Sequence, residues 1–388
     1  MRHAMYLYAW DLWHEGTAAV TARLCDAGLD GVALATAYHA GRFLRPHAPR
    51  ERVYLPEDGT VYFQPSETGY GRLKPQAAAM LRDCDPLPEL AARAPGLAVA
   101  AWTVGLHNSR LGTLHPDLAC QTPFGDPLVN ALCPSQPEVR AYLVALCRDT
   151  AAQAGVVEVM IETPGFQTYR HGHHHEFELI ELSPAADALL GLCFCDACRQ
   201  RARDWGLDAD ALARRAQAML TALFADGTAP LPDLRHDPDW QALVACRCDT
   251  VTSLVAEVRA ALPAHVRLAV IPSVQTPNDL CWREGSDLAA LQRVCDRLEV
   301  PAYQCGPDAI GRDISAVRDA AGKDAALGFI LRPTWPHVQG ADDLAACVGL
   351  ARRARADRIS FYNYGHMRLQ SLDWIAAAIR PENAHVET

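Results

Sequence analysis

Lysine is almost missing from the 388 residues: Lys74 and Lys323 are the two present, and neither stands at the end of an expected strand. Schiff-base and pyridoxal chemistry need a lysine held in a pocket, so both are set aside. Also missing are the signatures G-x-G-x-x-G and G-x-x-x-x-G-K-[ST], and with them the usual backbone cradles for dinucleotides and nucleoside triphosphates. No apolar run approaches the roughly 18 residues of a membrane span. The opening stretch breaks at Trp10-Asp11 and offers no small-residue cleavage site, so it reads as a first strand, not a secretory signal, and a cytoplasmic address is expected. Basic side chains are outnumbered 36 to 46, and a net charge of −10 opposes a phosphate backbone. Neither nucleic acid nor membrane is expected as a partner. Small neutral or cationic ligands stay open, with a homo-oligomer as the one protein assembly in view.

Cysteine, by contrast, is plentiful. Fourteen would suit a disulfide scaffold in a short secreted chain, but most sit singly inside apolar segments, as Cys25, Cys246 and Cys347 do, and read as buried thiols. The exception is Cys193-Phe194-Cys195-Asp196-Ala197-Cys198. Three thiolates within one loop turn can share a tetrahedral ion, and Cys133 or Cys120 could supply a fourth ligand. A structural zinc is the one cofactor this pattern suggests. The alternative is a set of reduced thiols packed under the loop.

Eight apolar, β-branched or aromatic runs recur, at residues 4–10, 31–38, 97–105, 157–166, 266–274, 297–305, 326–335 and 358–365. Between them lie Ala/Leu/Arg segments with apolar residues at helical spacing, such as 137–154, 308–321 and 341–355. Eight strand–helix units predict an α/β fold, a (β/α)8 TIM barrel over residues 1–388; the rival doubly wound sheet would normally show a glycine-rich first turn. Long connections follow strands 2, 3 and 4, the last an extended loop and helical insertion over 163–262. In a barrel these open on the C-terminal face, where active sites are built.

Strand ends on that face place Trp10, Asp11, His14, Tyr38, His39, His107, Asn108, Glu162, Ser273, Gln275, Tyr303, Gln304, Arg332, Trp335, Tyr362, Asn363 and Tyr364 in one collar. Aromatic faces cover apolar ring faces of a sugar, while carboxylates, amides and arginine bond its hydroxyls. Glu162, at the tip of the fourth strand, is the expected general acid/base, since barrel walls there can raise its pKa. Glu158 lies four residues earlier on the same side and points toward the barrel's bottom. The densest polar cluster is His171-Gly172-His173-His174-His175-Glu176. His171, His173 and His175 project one way in an extended loop, as sugar-binding or proton-shuttling groups, or as ligands of a divalent ion completed by Glu176, Glu162 or Asp11.

The segment Cys193-Phe194-Cys195-x-x-Cys198, with Trp205 seven residues on, resembles a loop of family 42 β-galactosidases and related hypothetical glycosyl hydrolases. Leu132-Cys133-Pro134-Ser135-Gln136-Pro137-Glu138-Val139-Arg140 is similar to the start of the third helix in that group. The resemblance covers residues 132–205. It implies a TIM-barrel glycosidase, with the cysteines as zinc ligands and Glu162 matching the fourth-strand acid/base. Two positions depart: Ile161 stands where the family has Asn before its acid/base, and Leu331-Arg332-Pro333-Thr334-Trp335 carries no carboxylate at the end of strand seven. A partner carboxylate must then come from elsewhere, with Asp11, Glu176, Asp279 and Glu284 available; a separation of about 5 to 5.5 Å implies retention and about 6.5 to 9.5 Å inversion.

The sequence thus points to a hydrolase of carbohydrate metabolism, a glycosidase using Glu162 as acid with Asp11 or Glu176 as second carboxylate. Two other readings stand beside it: a divalent-metal hydrolase, isomerase or lyase built on His171 to Glu176, and a lapsed barrel that binds sugars without turning them over.

Overall fold

Short runs that are apolar on both faces can be buried only if helices cover one side and other strands' side chains fill the other. The computed structural model, which describes residues 2–172, 178–231 and 233–380, arranges the eight runs in this way. The strands are β1 (His3–Leu7), β2 (Gly31–Tyr38), β3 (Ala98–Val104), β4 (Val156–Glu162), β5 (Arg267–Ile271), β6 (Arg297–Pro301), β7 (Leu327–Leu331) and β8 (Arg358–Phe361). All pair in parallel with their sequence neighbours, and β1 closes on β8 and on β2 to complete a (β/α)8 TIM barrel. Helices Thr17–Asp26, Pro86–Arg93, Pro137–Ala151, Pro238–Ala261, Leu288–Gln292, Pro307–Ala321, Ala341–Arg353 and Gln370–Ile379 form the outer ring. Val159, Ile161, Val270 and Val300 face that ring, fully or almost fully buried.

The inward residues stack in layers. Glu158, Met160 and Glu162 alternate with the outward valines and isoleucine of β4, so one strand supplies the floor, middle and top of the barrel interior. The floor is ionic. Glu158 takes two bonds of 2.6 Å from Arg297 and one of 2.8 Å from Arg358, while Glu299 accepts from Arg297, Arg358 and the Ser360 hydroxyl. Burial pushes the Glu158 pKa up, but Arg358 and Arg297 more than offset it and hold the carboxylate below its usual range. Gly328 on β7 makes room for this layer, since a Cβ there would lie 2.1 Å from Glu299 Oε2. Above it, the Tyr6 hydroxyl meets Met160 Sδ at 3.3 Å.

The long connections have their own structure. After β2, a hairpin pairs Phe43–Leu44 with Val53–Tyr54, and Thr60–Val61 adds antiparallel to the top of β2. After β3, Ala119–Gln121 pairs with Pro127–Leu132. After β4, helices Pro184–Leu190, Asp196–Asp204 and Ala209–Asp226 pack a satellite core around Leu189, Leu212, Leu220 and Trp240. The last helix within 163–262, Pro238–Ala261, belongs to the ring and is tied to Pro137–Ala151 by Arg140 and Glu257 at 2.6 Å.

The first run is shorter than the sequence suggests. β1 stops at Leu7, and a helix begins at Ala9 because the Asp11 carboxylate bonds back to the Tyr8 N–H at 3.0 Å. Trp10 and Asp11 therefore lie on a helix and not at a strand tip. Among the described residues, no helix is long and apolar enough to cross a membrane.

Candidate active site

Glu162 ends β4 partly buried, and one bond dominates its surroundings: the Trp102 indole N–H donates to its Oε2 at 2.5 Å. Strand register makes this possible. Trp102 pairs with Met160 and Val104 with Glu162, so the indole rises from one layer below into the barrel's top. Desolvation raises the Glu162 carboxyl to about 7, against the smaller opposing pull of Trp102. Tyr6, Tyr38, Tyr303 and Tyr362 surround the same space. Burial raises each phenol, and the neighbouring Glu162 carboxylate raises each further, so all four are neutral hydrogen-bonding groups at ordinary pH. Tyr8 OH bridges them, 3.2 Å from Tyr38 OH and 2.8 Å from Tyr362 OH.

A second carboxyl stands within electrostatic reach. Glu284 closes the short helix Asn278–Glu284 in the β5 connection, and desolvation lifts it to about 8, with Glu162 adding to the rise. Gln275 Nε2 donates to Glu284 Oε1 at 3.3 Å and lies 3.4 Å from the Thr168 hydroxyl. The Glu284 carbonyl accepts from Phe166 N–H at 2.9 Å, where Gly165 passes so close that a Cβ would sit 2.0 Å from that oxygen. The start of the β4 connection is thereby clamped to the segment carrying Glu284. A cavity of about 270 Å³ lined by Thr168, His171, Ser183, Asp187, Gln275 and Arg283 opens beside this clamp. A larger one, about 540 Å³, lies between the insertion helices around Leu223, Leu234 and Trp282, away from any strand end.

On the β2 and β3 side, rings form a column. Tyr38 stacks on His39 at 4.3 Å, His39 on His107 at 4.0 Å, and His171 Nε2 reaches His107 Nδ1 at 3.2 Å. Asn130, from the β3 connection, holds this end by donating to the His171 carbonyl at 2.8 Å.

The structure therefore gathers Glu162, Tyr38, Tyr303 and Tyr362, with His39, His107 and His171 along one wall. Gln304 is partly buried on the β6 connection. Arg332 lies with its guanidinium carbon 3.7 Å from the Tyr303 ring centre. Other expected positions are corrected. Asp11 is fully buried in an ion pair with Arg45 at 3.1 Å, a structural role; desolvation still raises it to about 6. Trp10 is fully buried, stacked on Tyr8 at 4.3 Å, and cannot touch a ligand. Asn108 caps the helix Ser109–Leu114, its Oδ1 accepting from Leu111 N–H at 2.9 Å. Trp335 is 73% exposed, outside the ring of tyrosines. Asn363 is buried, with its Oδ1 taken by Gly365 N–H. Asp279 is exposed on the surface of its helix. His173, His175 and Glu176 fall outside the described residues. Gln275 stands past the end of β5 as expected, and Glu284 is one of the several candidate partner carboxylates; Trp102, Tyr6 and Tyr8 are neighbours of Glu162 that the strand ends do not mark.

Four thiols meet away from this site. The Sγ atoms of Cys133, Cys193, Cys195 and Cys198 lie within 4.8 Å of one another, with Cys133 at 3.8, 3.6 and 3.4 Å from the other three in that order. Tetrahedral zinc with bonds of about 2.3 Å sets sulfurs roughly 3.8 Å apart, so the donor set fits such an ion. Gln121 N–H points at Cys193 Sγ at 3.2 Å, a second-layer contact of the kind that supports a thiolate.

Fold and site together define a TIM barrel with a raised carboxyl at the top of its fourth strand. Among solved structures it is similar to the PgaB (BpsB) glycoside hydrolase domain from Bordetella bronchiseptica, with a TM-score of 0.59 and 15% identity over 93% of this chain and 94% of that one. It is also similar to the C-terminal domain of a putative chitinase from Desulfitobacterium hafniense DCB-2, with a TM-score of 0.50 and 8% identity over 98% of this chain and 99% of that one. No family model and no curated protein matches the chain. At these identities the likeness is one of fold, and membership of family 42 is not shown.

Proposed function

We propose that the protein is a glycoside hydrolase-like enzyme in which Glu162 donates a proton to the leaving oxygen of a glycosidic bond. The observation that carries this is the contrast along β4. Glu158 is locked by two arginines at the floor, whereas Glu162, four residues on, meets no guanidinium among the described residues, accepts one indole N–H and is raised to about 7. A carboxyl that is protonated near neutrality and ringed by neutral phenols is suited to general acid work on a polyhydroxylated ligand.

Glu284 serves as the second carboxyl in this reading, replacing Asp11, which Arg45 occupies. The names of the similar folds, a glycoside hydrolase domain and a putative chitinase, agree with the assignment. A zinc ion on Cys133, Cys193, Cys195 and Cys198 belongs to the same proposal as a staple. It would join the β3 and β4 connections, which together hold His171 against His107. Turnover of a panel of aryl glycosides tests the proposal: Glu162→Gln should lower kcat by about 10²- to 10⁴-fold on whichever substrate the wild type cleaves. Undiminished turnover refutes the assignment.

A further inference from the structure

The end of β7 carries a cation in place of a carboxylate. Arg332 is partly buried, and its guanidinium lies over the Tyr303 ring at 3.7 Å and 5.4 Å from the centre of Tyr362. Both phenols also feel the Glu162 carboxylate, and Tyr303 hydrogen-bonds Arg332, so the guanidinium and the proton donor border the same two tyrosines. Arg332 Nη1 lies 3.1 Å from His337 Nε2. Arginine can only donate, so that imidazole nitrogen is the acceptor and His337 is neutral here. The Nε–H has no acceptor and no solvent contact. No carboxylate oxygen comes within 4.0 Å of Arg332 among the described residues.

A half-buried guanidinium surrounded by neutral rings has lost hydration without gaining a counter-charge. Three more deeply buried arginines do not share this condition: Arg45 is paired with Asp11, and Arg297 and Arg358 with Glu158 and Glu299. We infer that Arg332 is the recognition site for an anionic substituent on the sugar, a carboxylate, sulfate or phosphate seated across Tyr303 and Tyr362 from Glu162. The inference rests on the pocket being a sugar site. The protein's net charge of −10 does not oppose it. Surface charges beyond about 10 Å are screened at 0.1 M salt, whereas a guanidinium in direct contact acts at full strength and offers a bidentate fork. The overall field does work against a long polyanion, so a small acidic sugar or the end of a chain is the expected ligand.

The test is equilibrium binding by calorimetry at 0.1 M salt. The methyl glycosides of glucuronic and galacturonic acid are compared with those of glucose and galactose, and glucose 6-sulfate and glucose 6-phosphate with glucose. At least one anionic sugar should bind about tenfold or more tightly than its neutral counterpart. The arm that shows the preference identifies the anion. That ratio should collapse toward one in Arg332→Gln and be intermediate in Arg332→Lys, which also carries the comparison if the glutamine variant does not fold. Equal binding of every pair by the wild type, or a ratio that survives Arg332→Gln, overturns the inference. Glu162→Gln keeps the ratio while losing turnover. An Arg332-dependent preference in a protein that cleaves no aryl glycoside therefore defeats the hydrolase proposal and leaves the anion site intact.

Discussion

Replacing Glu162 by glutamine should make the protein more stable, and only where the carboxyl would be charged. Its pKa is about 7 in the folded chain against an ordinary 4.5 once the chain unfolds. Below pH 4.5 the acid is neutral in both states, and the wild type and Glu162→Gln differ little through ionisation. Between 4.5 and 7 the unfolded chain releases a proton that the folded chain keeps, so wild-type stability falls by about 1.4 kcal/mol per pH unit relative to the variant. Above pH 7 the difference levels off near 3 kcal/mol. At about 2.1 cal/mol/K per residue, a chain of 388 residues converts this to roughly 4 °C in Tm. Calorimetric melting of both proteins at pH 5 and pH 8 reads the gap directly. Glu284 titrates in both proteins and cancels apart from a small fall in its pKa when the neighbouring charge is gone. A gap that is the same at the two pH values means that the carboxyl is not raised, and the physical case for a neutral acid at the head of β4 is lost.

Further outcomes follow from the same geometry. Trp102→Phe removes the N–H that favours the charged form of Glu162, so its pKa should climb further and the alkaline limb of the kcat/KM profile should move up with it; an unmoved limb shows that the bond is not made in solution. Glu284→Gln should lower kcat while leaving that limb in place, because a carboxyl raised to about 8 is still neutral where Glu162 titrates. Metal analysis of purified protein should return about one zinc per chain, and Cys198→Ser should abolish it and lower Tm; full-strength wild-type protein without metal sinks the staple. Arg358→Met leaves Glu158 and Glu299 short of a partner and should cost about 3 to 5 kcal/mol in urea unfolding.

The barrel was legible because its strands are buried on both faces, and long β-branched runs such as those of β2 and β4 leave little other choice. Glu162 was legible for the same reason, standing where β4 meets polar residues. The first connection misled because Leu-Tyr-Ala-Trp prolongs the apolar run past the strand's end, and the helix start is marked only by Asp11 reaching back to Tyr8. Asn108, directly before a helical stretch, carries the usual mark of a helix cap, and that local role prevailed over ligand contact. Trp102 could have been found from strand parity once β3 and β4 were aligned, but one chain without registers does not say which of its alternating residues meet. Glu284 is harder still, since its place depends on Gly165 admitting a carbonyl from a connection more than a hundred residues away.

The interlocked carboxylates and guanidiniums beneath Met160 make the barrel a vessel closed at one end. Whatever reaches Glu162 must enter and withdraw by the open end, so a spent fragment obstructs the next arrival until it leaves. Departure, rather than bond breaking, would then govern the pace at high ligand concentration.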